Sequence, residues 1–504
     1  LYIPARKRMK QRTFLRKSST PHNYNIQLSD LAMPCLLWFR QDLRLTDNPA
    51  LLKASEHDEI IPVFILDETD RTLGGASKWW LHHSLSALMA DLGGLVLLRG
   101  DPKQLIPELA EKTESEAIFW NRSYEPHSVE RDTALKSLLK ENGLLAESFG
   151  GSVVREPWET KTGSGGPYKV YTPFWKANLS AGIPDPVSNT GFNIGHLDGL
   201  GENLEDWALP PSNPNWATGW EEIWQPGEAG AKQQLDEFLQ SGIANYGELR
   251  NRPDLPNVSR LSPHIHFGEI SPRQICARAQ FVADENPGLA PDINKFIAEI
   301  GWRDFANHLL FHFPQIPERN WKPAFDAYPW REDESQLIAW QMGQTGYPMV
   351  DAGMRELWNT GYMHNRIRML VGSFLVKHLQ LHWKHGEEWF WDTLLDADLA
   401  NNTSSWQWIS GSGADAAPYF RIFNPITQGP KFDPNGEYVR KWCPELKDLP
   451  TEFIHAPHLA PEFALQRANV KLGETYPFPI VDHKFARERA LKGYEAVKAA
   501  TSAS

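Results

Sequence analysis

The sequence predicts an N-terminal doubly wound α/β domain followed by an all-α domain. Between Met33 and about Phe149, short apolar runs typical of strands alternate with stretches of helical periodicity. From Ala231 onward the pattern is helical nearly to the end, and Pro and Gly fall at the joints between helices. A chain of 504 residues is too long for one ordinary core, so two or three domains are expected.

Four apolar runs in the first part predict buried parallel strands, and the segments between them predict crossover helices. We expect the strands at 36–39, 60–66, 95–99 and 117–120, and the helices at 49–56, 77–92, 102–112 and 128–142. Neither a GxGxxG nor a GxxxxGK sequence follows any of these runs. The standard phosphate-binding loops of α/β domains are therefore excluded.

The chain divides into four segments: a disordered or non-native extension (1–32), the α/β domain (33–160), an interdomain connector (161–230) and the helical domain (231–500). The connector contains Gly, Pro and scattered Trp, which predicts an irregular surface path. The extension holds seven Lys and Arg against one Asp, and Met33 immediately precedes the first strand. We favour translated sequence upstream of the natural start. The alternative is an Arg-rich transit peptide, which would imply an organelle.

Composition excludes several classes of protein. No run of about 18 apolar residues occurs, so no membrane span is expected. Three cysteines, far apart, exclude a disulfide framework and a cysteine-built zinc site, and they fit a reducing compartment. The net charge of -12 means that any DNA binding requires a local basic patch and weakens with salt.

Three features could carry chemistry. Ser262 followed by Pro263 is typical of a helix start, where unpaired N–H groups suit a phosphate. The stretch 396–402 sets two carboxylates and two amides among apolar residues, and ribose hydroxyls or flavin N–H groups would satisfy such buried carboxylates. It contains no His or Cys, so we expect no metal site. Core packing explains any single indole, but a chain of indoles could pass an electron to a flavin; the candidates are Trp302, Trp330, Trp383, Trp406 and Trp408.

These features lie in a sequence that resembles the photolyase/cryptochrome family over practically the whole chain from Met33. The matching stretches are 38–44, 260–269, 345–355, 361–369, 392–399, 406–408 and 419–433. The resemblance implies light-driven repair of cyclobutane pyrimidine dimers by electron transfer from excited reduced FAD, the reaction of a deoxyribodipyrimidine photo-lyase. It also implies damaged DNA as the partner, a monomer in the bacterial cytoplasm, and an antenna chromophore. For that antenna we favour methenyltetrahydrofolate over a deazaflavin.

The resemblance assigns roles position by position. The residues that match FAD contacts are Tyr246, Val258, Ser259, Arg260, Leu261, Ser262, Phe296, Arg368, Asp396, Asp398 and Asn402, the last facing flavin N5. The flipped dimer is expected among Glu299, Trp302, Asn365, Met369 and Trp408, and the DNA contacts are Arg250, Arg366 and Gln428. The catalytic set is Glu299, Asn365, Met369 and Asn402. If protonated, Glu299 could donate to a thymine carbonyl. The photoreduction chain runs through Trp406, Trp383 and Trp330.

The alternative is a cryptochrome-type blue-light photoreceptor, since cryptochromes share the fold and cofactor. Plant cryptochromes typically carry Asp at the position that faces flavin N5, so Asn402 favours repair. Repair of (6-4) photoproducts is disfavoured because its His pair is replaced by Asn365 and Met369. The stretch 263–269 is more similar to plant cryptochromes than to bacterial photolyases, which predicts a subclass between these two groups. A flavin dehydrogenase is disfavoured because it needs a dinucleotide fingerprint, which the sequence lacks.

Overall fold

The computed structural model describes residues 34–188, 191–416 and 420–503, so the expectations for residues 1–32 lie outside the described residues. The chain begins with a parallel sheet in the order β3-β2-β1-β4-β5. Its strands are β1 (Pro34–Phe39), β2 (Glu59–Asp67), β3 (Val96–Gly100), β4 (Ala117–Asn121) and β5 (Leu145–Phe149). The crossover helices are α1 (Pro49–Ala54), α2 (Gly75–Leu92), α3 (Pro102–Lys112) and α4 (Pro126–Glu141). This order confirms the predicted doubly wound sheet.

The fifth strand was not predicted from the sequence. β5 pairs with β4 at the edge of the sheet, in a register that sets Phe119 opposite Glu147. Its residues Leu-Ala-Glu-Ser-Phe are partly or fully exposed, whereas all five residues of β4 are buried. An edge strand with one solvated face has no continuous apolar run, so it lacks the signal that marked the four inner strands.

The remainder is helical, which confirms the predicted all-α domain. The helices are α5 (Tyr171–Ser180), α6 (Glu228–Glu237), α7 (Tyr246–Leu249), α8 (Ser262–His266), α9 (Pro272–Glu285), α10 (Ala290–His312), α11 (Glu334–Gln341), α12 (Pro348–Thr360), α13 (Asn365–Ser373), α14 (Trp383–Thr393), α15 (Leu399–Ser410), α16 (Pro425–Phe432), α17 (Glu437–Trp442), α18 (Glu462–Arg467) and α19 (His483–Ala503). Among the described residues, no helix is long and apolar enough to cross a membrane.

The predicted connector is less irregular and less exposed than expected. It contains α5, and several of its indoles are buried in the core. Trp220 and Trp224 donate their indole N–H groups to the carbonyls of Asn359 and Thr360, at 2.9 and 2.8 Å. These carbonyls lie at the C-terminal end of α12, so the tryptophans fasten the connector to the helical part of the chain.

Two Ser-Pro pairs stand at helix starts and behave differently. Ser271 caps α9, in a capping box with Gln274. Ser262 does not cap α8 as predicted: the helix already includes it, and its cap position is Leu261, which makes no side-chain cap bond. The Ser262 hydroxyl donates to the carboxylate of Asp396.

Candidate functional site

A cluster of polar and aromatic side chains joins α8, α13 and the stretch before α15. Arg368 binds the two oxygens of Asp396 at 3.0 and 2.8 Å, and Ser262 bonds to the same carboxylate. Burial alone would raise the pKa of Asp396, but the Arg368 pair and the hydrogen bonds outweigh it, and the pKa lies below its ordinary value. Arg260 and Arg368 both lie over the ring of Tyr362, at 5.2 and 5.4 Å. We call these five residues the arginine cluster.

Buried polar atoms that have no protein partner among the described residues lie in and beside the arginine cluster. One is the Arg260 Nε; the others belong to two neighbouring histidines and are the His364 Nε2 and both ring nitrogens of His266. His364 accepts from the Arg366 N–H through Nδ1, so its neutral ring carries the proton on Nε2. Buried polar atoms normally have partners, and these donors fit phosphate and ribose oxygens. Arg260 also has a φ of +53°, a strained conformation that accompanies ligand sites.

Asn402 lies in the first turns of α15 and is buried. Its amide nitrogen donates to the backbone carbonyl of Glu387 at 2.9 Å and to the carboxylate of Glu387 at 3.0 Å. Both partners are acceptors, so the atom that meets them is the NH2 group and Oδ1 is presented on the opposite side. Asp398 begins the same helix by accepting from the Asn401 N–H at 2.8 Å. The stretch 396–402 thus offers the Asn402 Oδ1 as an acceptor whose orientation is fixed.

A second cluster, the aromatic cluster, is formed by Tyr171, Tyr246, Arg250, Glu299 and Trp302. The rings of Trp302 and Tyr171 stack with centroids 3.7 Å apart at 11°, so one indole face is covered. The Trp302 residue keeps 37% of its surface exposed. The guanidinium of Arg250 lies 5.6 Å from the Tyr246 ring and binds both oxygens of Glu299. The cluster therefore presents an aromatic face beside an ion pair.

Glu299 lies between two cations. Its carboxylate pairs with Arg250 and also with Lys295, whose Nζ lies 3.1 Å away. A carboxylate held in this way accepts hydrogen bonds, whereas the predicted role requires Glu299 to donate one. Arg250, expected to contact DNA, is correspondingly engaged by Glu299.

The other predicted site residues lie around these two clusters. Phe296 packs on Tyr246 with ring centroids 5.8 Å apart, and Leu261 is buried in the same core. Arg366 binds the side chain of Asn251 at 2.5 Å. Trp408 donates to the Asp415 carbonyl at 3.3 Å. The rest are exposed or half-buried: Asn365, Met369, Gln428, Val258 and Ser259.

The three tryptophans of the predicted electron chain differ in burial. Trp406 and Trp383 are buried, and Trp330 is half-buried. His382 lies between the outer two, with ring centroids 5.0 Å from Trp330 and 5.4 Å from Trp383. Gly386, one turn after Trp383 on α14, lies so close to the Trp406 indole that a Cβ there would be 2.0 Å from it. A helix turn and a histidine ring thus connect the three indoles.

Sequence reasoning missed several of these residues. Tyr362 and His364 fall inside the matching stretch 361–369 but received no role. Glu387 and Trp224 lie outside every matching stretch, and a lone Glu or Trp in a helical region carries no signal of a site. Their contribution follows only from the contacts with Asn402 and with Arg260, whose guanidinium lies 4.3 Å from the Trp224 ring.

Comparison with known proteins gives two matching family models. Residues 35–189 match the DNA photolyase model, and residues 296–496 match the FAD binding domain of DNA photolyase. A deoxyribodipyrimidine photo-lyase of Agrobacterium fabrum is 49% identical over 478 residues, which cover 93% of this chain and 99% of the relative. Cryptochrome-1 of Arabidopsis thaliana is 38% identical over 473 residues, covering 90% and 69%.

Solved structures agree with this result. The crystal structure of a bacterial class III photolyase from Agrobacterium tumefaciens superposes with a TM-score of 0.90 at 48% identity, covering 94% of this chain and 99% of that one. The chain therefore belongs to the DNA photolyase/cryptochrome family and contains the FAD-binding domain of that family.

Proposed function

We propose that this protein is a deoxyribodipyrimidine photo-lyase that repairs cyclobutane pyrimidine dimers in DNA under blue light. When bound and reduced, FAD supplies on light absorption the electron that opens the cyclobutane ring and then takes that electron back, with no net redox change. The residues of the chain would bind the cofactor, present an acceptor oxygen to it and admit the damaged bases.

The arginine cluster would hold the FAD. The partnerless Nε of Arg260 and the Nε2–H of His364 suit phosphate oxygens, and the Asp396 carboxylate suits ribityl hydroxyls. Tyr246, Phe296 and the loop 258–262 would complete the site from the side of α7 and α10. The orphaned donors are the observation that supports a bound dinucleotide here.

The aromatic cluster would take the dimer, which must be flipped out of the duplex to reach a buried cofactor. The uncovered face and edge of Trp302 offer stacking worth about 1–3 kcal/mol per base. Trp408, Asn365 and Met369 would border the same cavity. When a DNA phosphate draws Arg250 away, the Glu299 side chain loses one of its two cations and would be free to turn toward the dimer.

The observation that carries this function is the orientation of Asn402. Its amino group is bound by Glu387, so Oδ1 is left to accept a hydrogen bond from flavin N5–H, and an amide has no proton to give at neutral pH. A site built in this way favours the fully reduced flavin that repair requires. In the photoreceptor alternative, suggested by the Arabidopsis relative, an acid at this position would donate a proton.

The test uses purified FAD-loaded protein, a reductant and DNA that carries cyclobutane dimers. We expect dimers to disappear under blue light and to persist in a dark control. Dimers that survive long illumination by protein with fully reduced FAD would reject the repair function. Undamaged DNA serves as the control for photodamage.

For the antenna we propose methenyltetrahydrofolate rather than a deazaflavin. The crevice at the carboxyl ends of β1 and β4 is crossed by the Arg40–Asp132 ion pair at 2.8 Å, which disfavours a tricyclic ring there. The rings of Trp358 and Trp389 are parallel within 9°, and Trp358 is 50% exposed, so flat faces are available to a pteridine. The absorption spectrum of the released chromophore, in wild type and in Trp358→Ala, tests this.

We also propose that the protein acts as a monomer, and that it works in the bacterial cytoplasm, for which its similarity to bacterial photolyases is the support. Sedimentation of the FAD-loaded protein with and without a short dimer-containing duplex tests the monomeric state, and one protein per lesion is expected. Cell fractionation tests the location.

A further inference from the structure

We propose that Arg71, which lies in the α/β part of the chain, is a positioning residue for Asn402: it fixes the Glu387 carboxylate that sets which end of the Asn402 amide faces the flavin. This inference rests on the proposed function. Arg71 lies in the loop 68–74 between β2 and α2, far in sequence from every residue assigned to the site.

The contacts form an uninterrupted chain. Arg71 Nη1 donates to Glu387 Oε1 at 2.8 Å, and its Nη2 lies 3.3 Å from Oε2. The same Oε1 accepts from the Asn402 amide at 3.0 Å. The Glu387 side chain is 9% exposed, and among the described residues Arg71 is the cation that pairs with it.

The loop is held firmly enough to place the guanidinium. The Arg71 guanidinium lies 4.1 Å from the centroid of the Trp391 ring. The Trp391 indole N–H donates to the Thr72 carbonyl at 2.9 Å, and the Gly75 N–H donates to Asp392 at 2.8 Å. A Cβ on Gly74 would be 2.0 Å from the Trp391 carbonyl oxygen, so the loop backbone touches the end of α14. The helix that carries Glu387 is therefore clamped by the loop that carries Arg71.

The charge of Arg71 matters because of what Glu387 would do without it. Its carboxylate would lose both charge-assisted hydrogen bonds that hold it in place, and a buried charge without a partner turns toward water. The Asn402 amino group would then keep only the Glu387 backbone carbonyl, at 2.9 Å, as its acceptor. An amide held at one point instead of two would turn over more readily, and its amino group would then oppose N5–H of the reduced cofactor.

The test compares Arg71→Met, Arg71→Lys and Glu387→Gln in FAD-loaded protein. The control is Arg99→Met, which removes a 2.8 Å pair with Glu202 away from the site; the Arg99 side chain is as exposed as that of Arg71, at 38% and 37%. The readouts are the dark reoxidation rate of reduced flavin in air between pH 6 and 8, and the Asn side-chain carbonyl band in light-minus-dark infrared spectra.

We expect Arg71→Met to speed reoxidation about tenfold throughout this pH range, because the charge-assisted hydrogen bonds that hold the Glu387 carboxylate are lost. Glu387→Gln should be fast at every pH, and Arg71→Lys and Arg99→Met should stay near wild type. An Arg71→Met protein that matches Arg99→Met in both readouts, while Glu387→Gln is altered, would overturn the role of Arg71. These readouts need no DNA, so failure of dimer repair by wild-type protein would reject the proposed function separately.

Discussion

Arg250 and Glu299 form a two-pronged ion pair at the rim of the aromatic cluster, and Lys295 adds a second cation to the same carboxylate. Two positive charges that could meet DNA phosphates are thus engaged by one acid. The acid itself is the group proposed to face the dimer. DNA binding by Arg250 and Lys295 and the position of the Glu299 side chain are therefore linked through this ion pair.

Replacing Glu299 by Ala should separate the two effects. Arg250 and Lys295 are released to phosphates, so affinity for undamaged DNA should rise at low salt, and the slope of log affinity against log salt should become more negative by about one to two. Repair per absorbed photon should fall, because alanine cannot donate a hydrogen bond to the charged base. Filter binding and dimer counting measure these quantities, with Glu202→Ala as control. Unchanged photon yield would make Glu299 a binding residue only.

Replacing Trp406 by Phe should block light-driven reduction of oxidised flavin and leave repair by chemically reduced protein intact. Indole is the better electron donor, and Trp406 is the buried end of the chain to Trp330. The flavin absorption spectrum under illumination follows the first effect and dimer loss follows the second. Trp207→Phe, at another buried tryptophan, is the control. If the Trp406 variant were photoreduced like wild type, Trp406 would only pack the core.

Replacing Asn402 by Asp should change the flavin chemistry more than any other single substitution. The new carboxyl would lie against Glu387, and two carboxyls at hydrogen-bond distance share a proton, which raises the pKa of one of them. That proton becomes available to the flavin. We expect illumination to give a long-wavelength flavin band absent from wild type, and repair to fall by about tenfold or more. Asn178→Asp, at a buried asparagine on α5, controls for a new buried acid. Identical spectra for Asn402→Asp and wild type would place Asn402 away from N5.

Acid should destabilise the protein below about pH 6.5 through its buried histidines. Burial lowers the pKa of His364 and His378 to about 3 and that of His308 and His382 to about 4. The unfolded chain binds these protons near pH 6.5 and the folded chain does not, so stability is complete above that pH and is lost as the pH falls. Each histidine contributes a slope of at most about 1.4 kcal/mol per pH unit.

Urea unfolding at pH 7, 6 and 5 measures this slope. His378→Gln should reduce this slope by up to about 1.4 kcal/mol per pH unit, the share of one proton, because the variant has one buried imidazole fewer. The exposed His196, changed to Gln, should leave the slope as it is. Equal slopes for wild type and His378→Gln would mean that carboxylates alone govern acid unfolding.

Replacing Arg260 by Gly should weaken the retention of FAD and raise the stability of the apoprotein. Glycine removes the guanidinium, so FAD retention should fall about tenfold or more, since a charged hydrogen bond to phosphate is lost. It also adopts the φ of +53° without steric cost, so the apoprotein should become more stable by about 1 kcal/mol. Equilibrium dialysis of FAD and apoprotein melting measure both. Arg260→Ala, which lacks the charge but keeps the strain, separates them.

The sequence by itself determined the fold class and the family. The four inner strands are apolar runs because both sheet faces are covered, and that pattern is local. The resemblance also proposed roles for Asn402, Asp396 and Arg368, although Asn402 lies between two matching stretches. The edge strand β5 escaped prediction because half of it faces solvent.

Two features were decided only by the tertiary structure. One is that Asn402 turns its Oδ1 away from Glu387, and the other is that two cations pair with Glu299. Arg71 and Glu387 are 316 positions apart in the chain, and their contact depends on how the loop after β2 packs against the end of α14. Arg250, directly after α7, and Glu299, on α10, are 49 positions apart. A sequence states which groups can bond. Whether a carboxylate meets a cation, an amide or water depends on which surfaces pack together, and that is settled by burial of apolar area along the whole chain.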